Sequence, residues 1–220
     1  MKNNLIANLI LFYLLQVFSA YAMSDDNAFN LAQRVVKIQD SSALNKLQLM
    51  SQNGDASAQY WLGVMYEFGQ GVQTNYDQSM FLYKESAEKG NVDAQLNLGN
   101  IYASGQSGVT DYKQAKFWFN KAAAQGNAIA QLDLGTLYLY GHRLSSENSR
   151  DFAQAFFWLK KSAEQGEPHA QAELAEMYEY GMGIPEDRNR AIFWYEKAAK
   201  QGMFGASGEA NYLRTHPVSP

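Results

Sequence analysis

Five glycines, Gly54, Gly90, Gly126, Gly166 and Gly202, stand 36, 36, 40 and 36 residues apart. Each heads the same string of residues. Four positions on comes alanine (Ala58, Ala94, Ala130, Ala170, Ala206), and in the first four copies glutamine follows it (Gln59, Gln95, Gln131, Gln171). Leucine comes next at Leu62, Leu98, Leu134 and Leu174, then a small residue at Gly63, Gly99, Gly135 and Ala175. Tyrosine stands at Tyr66, Tyr102, Tyr138 and Tyr178, and a closing glycine at Gly69, Gly105, Gly141 and Gly181. Self-similarity at this period restricts the chain to a repeat architecture, in which each unit buries its apolar face on its neighbours.

Ala, Leu and Tyr four residues apart trace one face of a helix. Asp55, Asn91 and Asn127 precede it as N-caps, and the fourth copy places Glu167-Pro168 there, with proline in the first turn. A second helix starts after Asn75, Asp111, Asp151 and Asp187, carries bulk at Leu82, Trp118, Trp158 and Trp194, and runs to Ala87, Ala123, Ala163 and Ala199. The expected fold is therefore all-α: an α/α superhelical solenoid of helix-turn-helix repeats of about 36 residues. The copies span 54–89, 90–125, 126–165 and 166–201. Residues 23–53 read as N-terminal capping helices (27–39 and 42–52), and 202–220 as a C-terminal capping helix over 203–214 with a tail. The four extra residues of copy three fall in Gly141 to Asp151, a polar surface insertion.

Ahead of the repeats, Lys2, the apolar run from Leu5 to Phe18 and Ala20-Tyr21-Ala22 have the order of a secretory signal. Cleavage is expected after Ala22, leaving a periplasmic or secreted chain that does not span a membrane. There is no cysteine, so neither disulfides nor thiol acylation enter. A net charge of −4 leaves no basic patch of the kind nucleic acid requires.

The motif Gly-x-x-x-Ala-Gln-x-x-Leu-Gly-x-x-Tyr-x-x-Gly, followed by Ala-x-x-Trp-x-x-x-Ala-Ala-x-x-Gly, resembles the Sel-one-like repeat family, relatives of tetratricopeptide repeats. Stretches such as NVDAQLNLGNIYASG and AIFWYEKAAKQG carry the resemblance, which covers residues 53 to about 213. It implies a right-handed superhelical adaptor, non-enzymatic, with the first helices lining a concave face. It also implies the partners of exported bacterial members: envelope signalling proteins, host proteins and peptidoglycan-related ligands.

Candidate binding residues are those free to differ between copies. Offsets 7, 10 and 14 from the anchor glycine lie on one helix stripe, away from the Ala/Leu/Tyr face. Offset 7 holds Trp61, Asn97, Asp133 and Glu173; offset 10 holds Val64, Asn100, Thr136 and Glu176; offset 14 holds Phe68, Ser104, Tyr140 and Tyr180. The stripe is aromatic at one end, amide-rich in the middle and acidic toward the C-terminus. A peptide or partner protein is the expected ligand, and Glu173, Glu176 and Glu179 suit a cationic one. A solvated polar face is the competing reading.

Catalytic patterns are weak. Ser86-Ala-Glu-Lys89 has the Ser-x-x-Lys spacing of penicillin-recognising enzymes, but other copies hold Ala122, Ser162 and Ala198 in the serine slot. The alternative to a scaffold is a cell-wall enzyme or binder, acting on a β-lactam or a muropeptide. His142, His169 and His216 are scattered, so neither a metal site nor a cofactor is expected.

Overall fold

The computed structural model describes residues 27–106, 108, 110–140 and 150–216. The candidate signal segment, most of the copy-three insertion and His142 lie outside them. Eleven helices and no strand are present among the described residues. They are α1 (Ala28–Ile38), α2 (Ser41–Gln52), α3 (Ala56–Phe68), α4 (Tyr76–Glu88), α5 (Val92–Ser104), α6 (Tyr112–Ala124), α7 (Ala128–Tyr140), α8 (Phe152–Glu164), α9 (Pro168–Glu179), α10 (Arg188–Lys200) and α11 (Ala206–Thr215). The fold is all-α, of the helical-repeat solenoid class. The chain divides into two compact units, the first ending at Lys89 and the second starting at Gly90.

Local chemistry places each helix. The Asp55 carboxylate accepts from the Ala58 N–H at 2.7 Å, and Asn91 and Asn127 accept from Ala94 and Ala130 at 2.9 Å. Asn75, Asp111, Asp151 and Asp187 cap the second helices in the same way. Gly69 and Gly105 end the first helices in the left-handed region, at φ 67° and 73°. The final helix departs from the expected start at 203: Gly205 takes φ 83°, and α11 begins only at Ala206. Its N-cap is thus a glycine with no side-chain bond, where the other copies use Asp, Asn or Glu.

In the first unit the core gathers Ala28, Leu31, Val35, Leu47, Leu62, Met65 and Leu82, so α1 and α2 cover the inner faces of α3 and α4. In the second unit Phe119, Leu134 and Trp158 pack together, and Leu139, Leu159, Leu174, Met177, Trp194 and Leu213 form a further cluster that α11 closes. The small residue beside each leucine sets the helix spacing. A Cβ on Gly99 would stand 2.3 Å from the Phe119 ring, and one on Gly63 2.8 Å from Tyr83.

Each copy also carries a polar clasp. Gln125 Nε2 donates to the Gly90 carbonyl at 3.1 Å and to Gln95 Oε1 at 2.9 Å. Gln201 repeats this with Gly166 and Gln171, at 2.8 and 2.9 Å. Gln165 reaches Gln131 Oε1 at 2.7 Å in copy three. In copy one the ammonium of Lys89 takes the place of the amide, 3.0 Å from both Gly54 O and Gln59 Oε1. The buried glutamines thereby have partners on both sides: Gln59, Gln131 and Gln171 also donate to Ser51, Ala123 and Ala163 carbonyls of the preceding helix.

Candidate functional site

The variable stripe differs in character between the units. In the first, Trp61 is half-buried, its ring 5.0 Å from Phe29 of α1 and 5.0 Å from Tyr60. Tyr60 in turn lies 5.9 Å from Tyr83. Val64 is half-buried beside them, and Phe68 stands at the helix end with 64% of its surface exposed. Phe29 joins this patch from the capping helix, outside the repeat register in which the stripe was read.

In the second unit the stripe is acidic on α7 and α9. Thr136 Oγ1 donates to Glu173 Oε2 at 2.9 Å and ties α7 to α9. Burial pushes the Glu173 carboxyl up to about 7; Glu176 and Asp133 add to the rise, while the Thr136 bond and His169 oppose it. Asp133 is raised to about 6, by burial and then by Glu167, and its Oδ2 is buried without a hydrogen-bond partner among the described residues. Glu176 is raised by burial, then by Glu179 and Glu209. Tyr140 reaches about 12 through burial and its proximity to Glu173 and Glu176. Tyr180 is raised chiefly by Glu179 and is exposed. Glu179 accepts from Tyr195 Oη at 2.9 Å. Asn97 and Asn100 stand on α5, half-buried and exposed respectively, and no hydrogen bond joins them to the carboxylates among the described residues.

Asp133, Thr136, Tyr140, Glu173, Glu176 and Tyr180 therefore share one electrostatic neighbourhood, joined by Glu179 and by Glu209 of α11. Glu209 carries a signal that the four-copy reading passed over: it lies seven residues after Gly202, in the same slot as Asp133 and Glu173. Among the described residues, no Lys or Arg nitrogen lies within 4.0 Å of Asp133, Glu173, Glu176, Glu179 or Glu209. Carboxylates crowded in this way bind protons more tightly than isolated ones, and a cation brought to the stripe displaces those protons. No group of three or more His, Asp or Glu among the described residues is disposed to hold a metal ion.

Ser86 is buried and donates to the Ala56 carbonyl at 2.6 Å, as Ser162 does to Ala128 at 2.7 Å. With Lys89 engaged in the clasp, both residues of the Ser-x-x-Lys pattern are occupied by helix packing. No helix among the described residues is long and apolar enough to cross a membrane.

The Sel1 repeat pattern matches residues 56–91, 92–127, 128–167 and 168–203, each match opening two residues after an anchor glycine. The fold is similar to that of a Sel1 repeat protein from Oxalobacter formigenes, with a TM-score of 0.73 and 29% identity over 83% of this chain and 71% of that one. It is also similar to c5321, a protective antigen present in uropathogenic Escherichia coli strains and displaying an SLR fold (TM-score 0.55, 28% identity, 85% of this chain). This chain spans about half, 49%, of that protein's length. No curated protein matches the chain. With four consecutive matches over more than half of its length, the chain belongs to the Sel1 repeat family.

Proposed function

We propose that this protein is an exported, non-catalytic scaffold whose second unit takes a cationic peptide or partner segment along the stripe from Asp133 to Tyr180. Sel1 repeats generally serve as protein–protein interaction scaffolds. The observation that carries the finer reading is the group of half-buried carboxylates on α7 and α9, which have Thr136, one another and His169 as neighbours and no Lys or Arg within 4.0 Å among the described residues. Holding such groups ionised costs free energy, and an arriving Lys or Arg offsets that cost. Tyr140 and Tyr180 flank the carboxylates as partly exposed rings, on which the aliphatic stem of a bound Lys or Arg can lie. The order of charged, apolar and small residues in 1–22 supports export.

Fluorescence anisotropy of a labelled Lys/Arg-rich peptide tests the binding reading. Affinity should rise as pH passes upward through about 7, where Glu173 ionises. It should fall by roughly tenfold or more in Glu173→Gln/Glu176→Gln. Equal affinity for the wild type and this variant would overturn the reading. Fractionation of the producing cells tests export, and retention of a full-length chain in the cytoplasm would refute it.

A further inference from the structure

The second helices of the second unit carry a repeated surface device that helix packing does not need. On α6, α8 and α10, Phe117, Phe157 and Phe193 are 49%, 45% and 49% exposed. Each rests edge-on against the buried tryptophan that follows it, with centroids 4.9, 4.8 and 5.1 Å apart and ring planes at 80°, 81° and 78°. Each is also topped by the lysine four residues on: Lys121, Lys161 and Lys197 place Nζ 4.7, 4.6 and 4.8 Å from the phenylalanine centroid. One half-exposed phenylalanine is ordinary; three in one geometry, each held by a ring below and a cation above, make a ladder.

The charge along the ladder helices is predominantly positive. Helix α6 carries Lys113, Lys116 and Lys121 and no carboxylate. In α8 the sole carboxylate, Glu164, sits 3.8 Å from Lys160, and in α10 Glu196 pairs with Arg214. Among the described residues Lys121, Lys161 and Lys197 meet no carboxylate within 4.0 Å.

The last three first helices of the same unit present the complement: Asp133, Glu173 and Glu209 share one slot, and Tyr140 and Tyr180, 48% and 64% exposed, share another, while copy two holds Asn97 and Ser104 there. Both ladders are built on the same repeat. Lys121, Lys161 and Lys197 and the carboxylates of Asp133, Glu173 and Glu209 therefore follow the same sequence intervals, 40 and 36 residues. Few unrelated partners would share those intervals; a second copy of this chain does so by construction.

We propose that the protein self-associates head to tail, the Phe–Lys ladder of one copy docking on the carboxylate–tyrosine stripe of the next. This rests on the reading of that stripe as a face that receives cations. The two patches are different surfaces, so each docked copy still offers one of each. Assembly grows past the dimer unless it closes into a ring.

Sedimentation velocity of the mature chain, over a wide concentration range at low and high salt, tests this. Oligomers beyond the dimer should form at low salt and dissolve at high salt. Lys121→Gln/Lys161→Gln/Lys197→Gln and Glu176→Gln/Glu209→Gln should each abolish them, with wild-type helical content and melting no lower than in the wild type. Mixed together, these two variants retain one productive pair of faces and should form a complex of one copy of each and nothing larger. Wild-type chain that stays monomeric at low salt, or a mixture of folded variants that does not associate, would overturn the proposal. So would a monomer that binds vesicles of anionic phosphatidylglycerol through the ladder, which would give that face to a membrane. If the cationic peptide still binds a chain that stays monomeric, self-association fails and the cation-binding reading survives; if neither occurs, both fail.

Discussion

The two units use one repeat grammar and place opposite chemistry on the same stripe. In the first, slot seven is Trp61, half-buried against Phe29 and Tyr60. In the second, the same slot holds Asp133 and Glu173, half-buried against each other and a threonine. A position that the repeat leaves free is thus used for cohesion in one place and for unbalanced charge in another. The first arrangement stabilises the fold; the second draws on that stability and leaves the carboxylates ready for a cation.

Substitutions can break or sharpen that contrast. The largest effects should come from the feature both units share, the close helix approach. Gly99→Ala should destabilise by about 3 kcal/mol, because its Cβ would meet the Phe119 ring at 2.3 Å. Gly63→Ala should cost less, with the Tyr83 ring at 2.8 Å. Urea denaturation measures both, and equal midpoints would remove close packing as the cause.

Next come two changes of opposite sign at the same slot. Trp61→Ala should cost about 2 kcal/mol through lost aromatic packing. Glu173→Gln should stabilise by about 2 kcal/mol above neutral pH, since it removes a carboxylate whose ionisation the fold resists. Destabilisation by both would show that the second unit's stripe is held together by its charge.

The pH dependence follows from the same groups. Glu173 is raised from the usual 4.5 to about 7. Between those values the folded chain keeps a proton that the unfolded chain has lost, so stability falls as pH rises through this window and levels off above it. Asp133, raised from 3.8 to about 6, adds a fall of the same sign at lower pH, and Glu176 contributes in the same direction. Unfolding free energies from urea titrations at pH 5 and pH 8 should differ by roughly 2 kcal/mol in the wild type and by less in Glu173→Gln. The smallest effects should come from the caps: Asp55→Ala and Asn91→Ala should each cost about 1 kcal/mol in thermal melts, irrespective of the unit.

The architecture was legible because packing constrains every copy alike: the glycines, alanines and leucines recur wherever helices touch. The positions of the acidic stripe were legible by subtraction, as the residues left over. What could not be read was depth. Nothing in the string separates Glu173, which meets Thr136 across two helices, from a glutamate in open water. Glu209 shares the slot of Asp133 and Glu173, but a truncated fifth copy offers too few matching positions to draw the eye there. The phenylalanines at 117, 157 and 193 precede tryptophans and look like further core; only the turn of the helix shows that the tryptophan goes in and the phenylalanine stays out.

The clasp of Gln125 on Gly90 and Gln95 joins the end of a copy to its own beginning, across 35 and 30 residues. Each copy therefore carries its own fastening. A tandem duplication of one such stretch adds a segment whose buried glutamine already has its Oε1 paired within the copy, while its Nε2 meets the backbone carbonyl that the preceding second helix offers. The contact between Gln165 and Gln131 survives four extra residues between the two helices of copy three, so length within a copy is tolerated as well. A chain built this way can lengthen by whole modules while its outward-facing slots change one residue at a time.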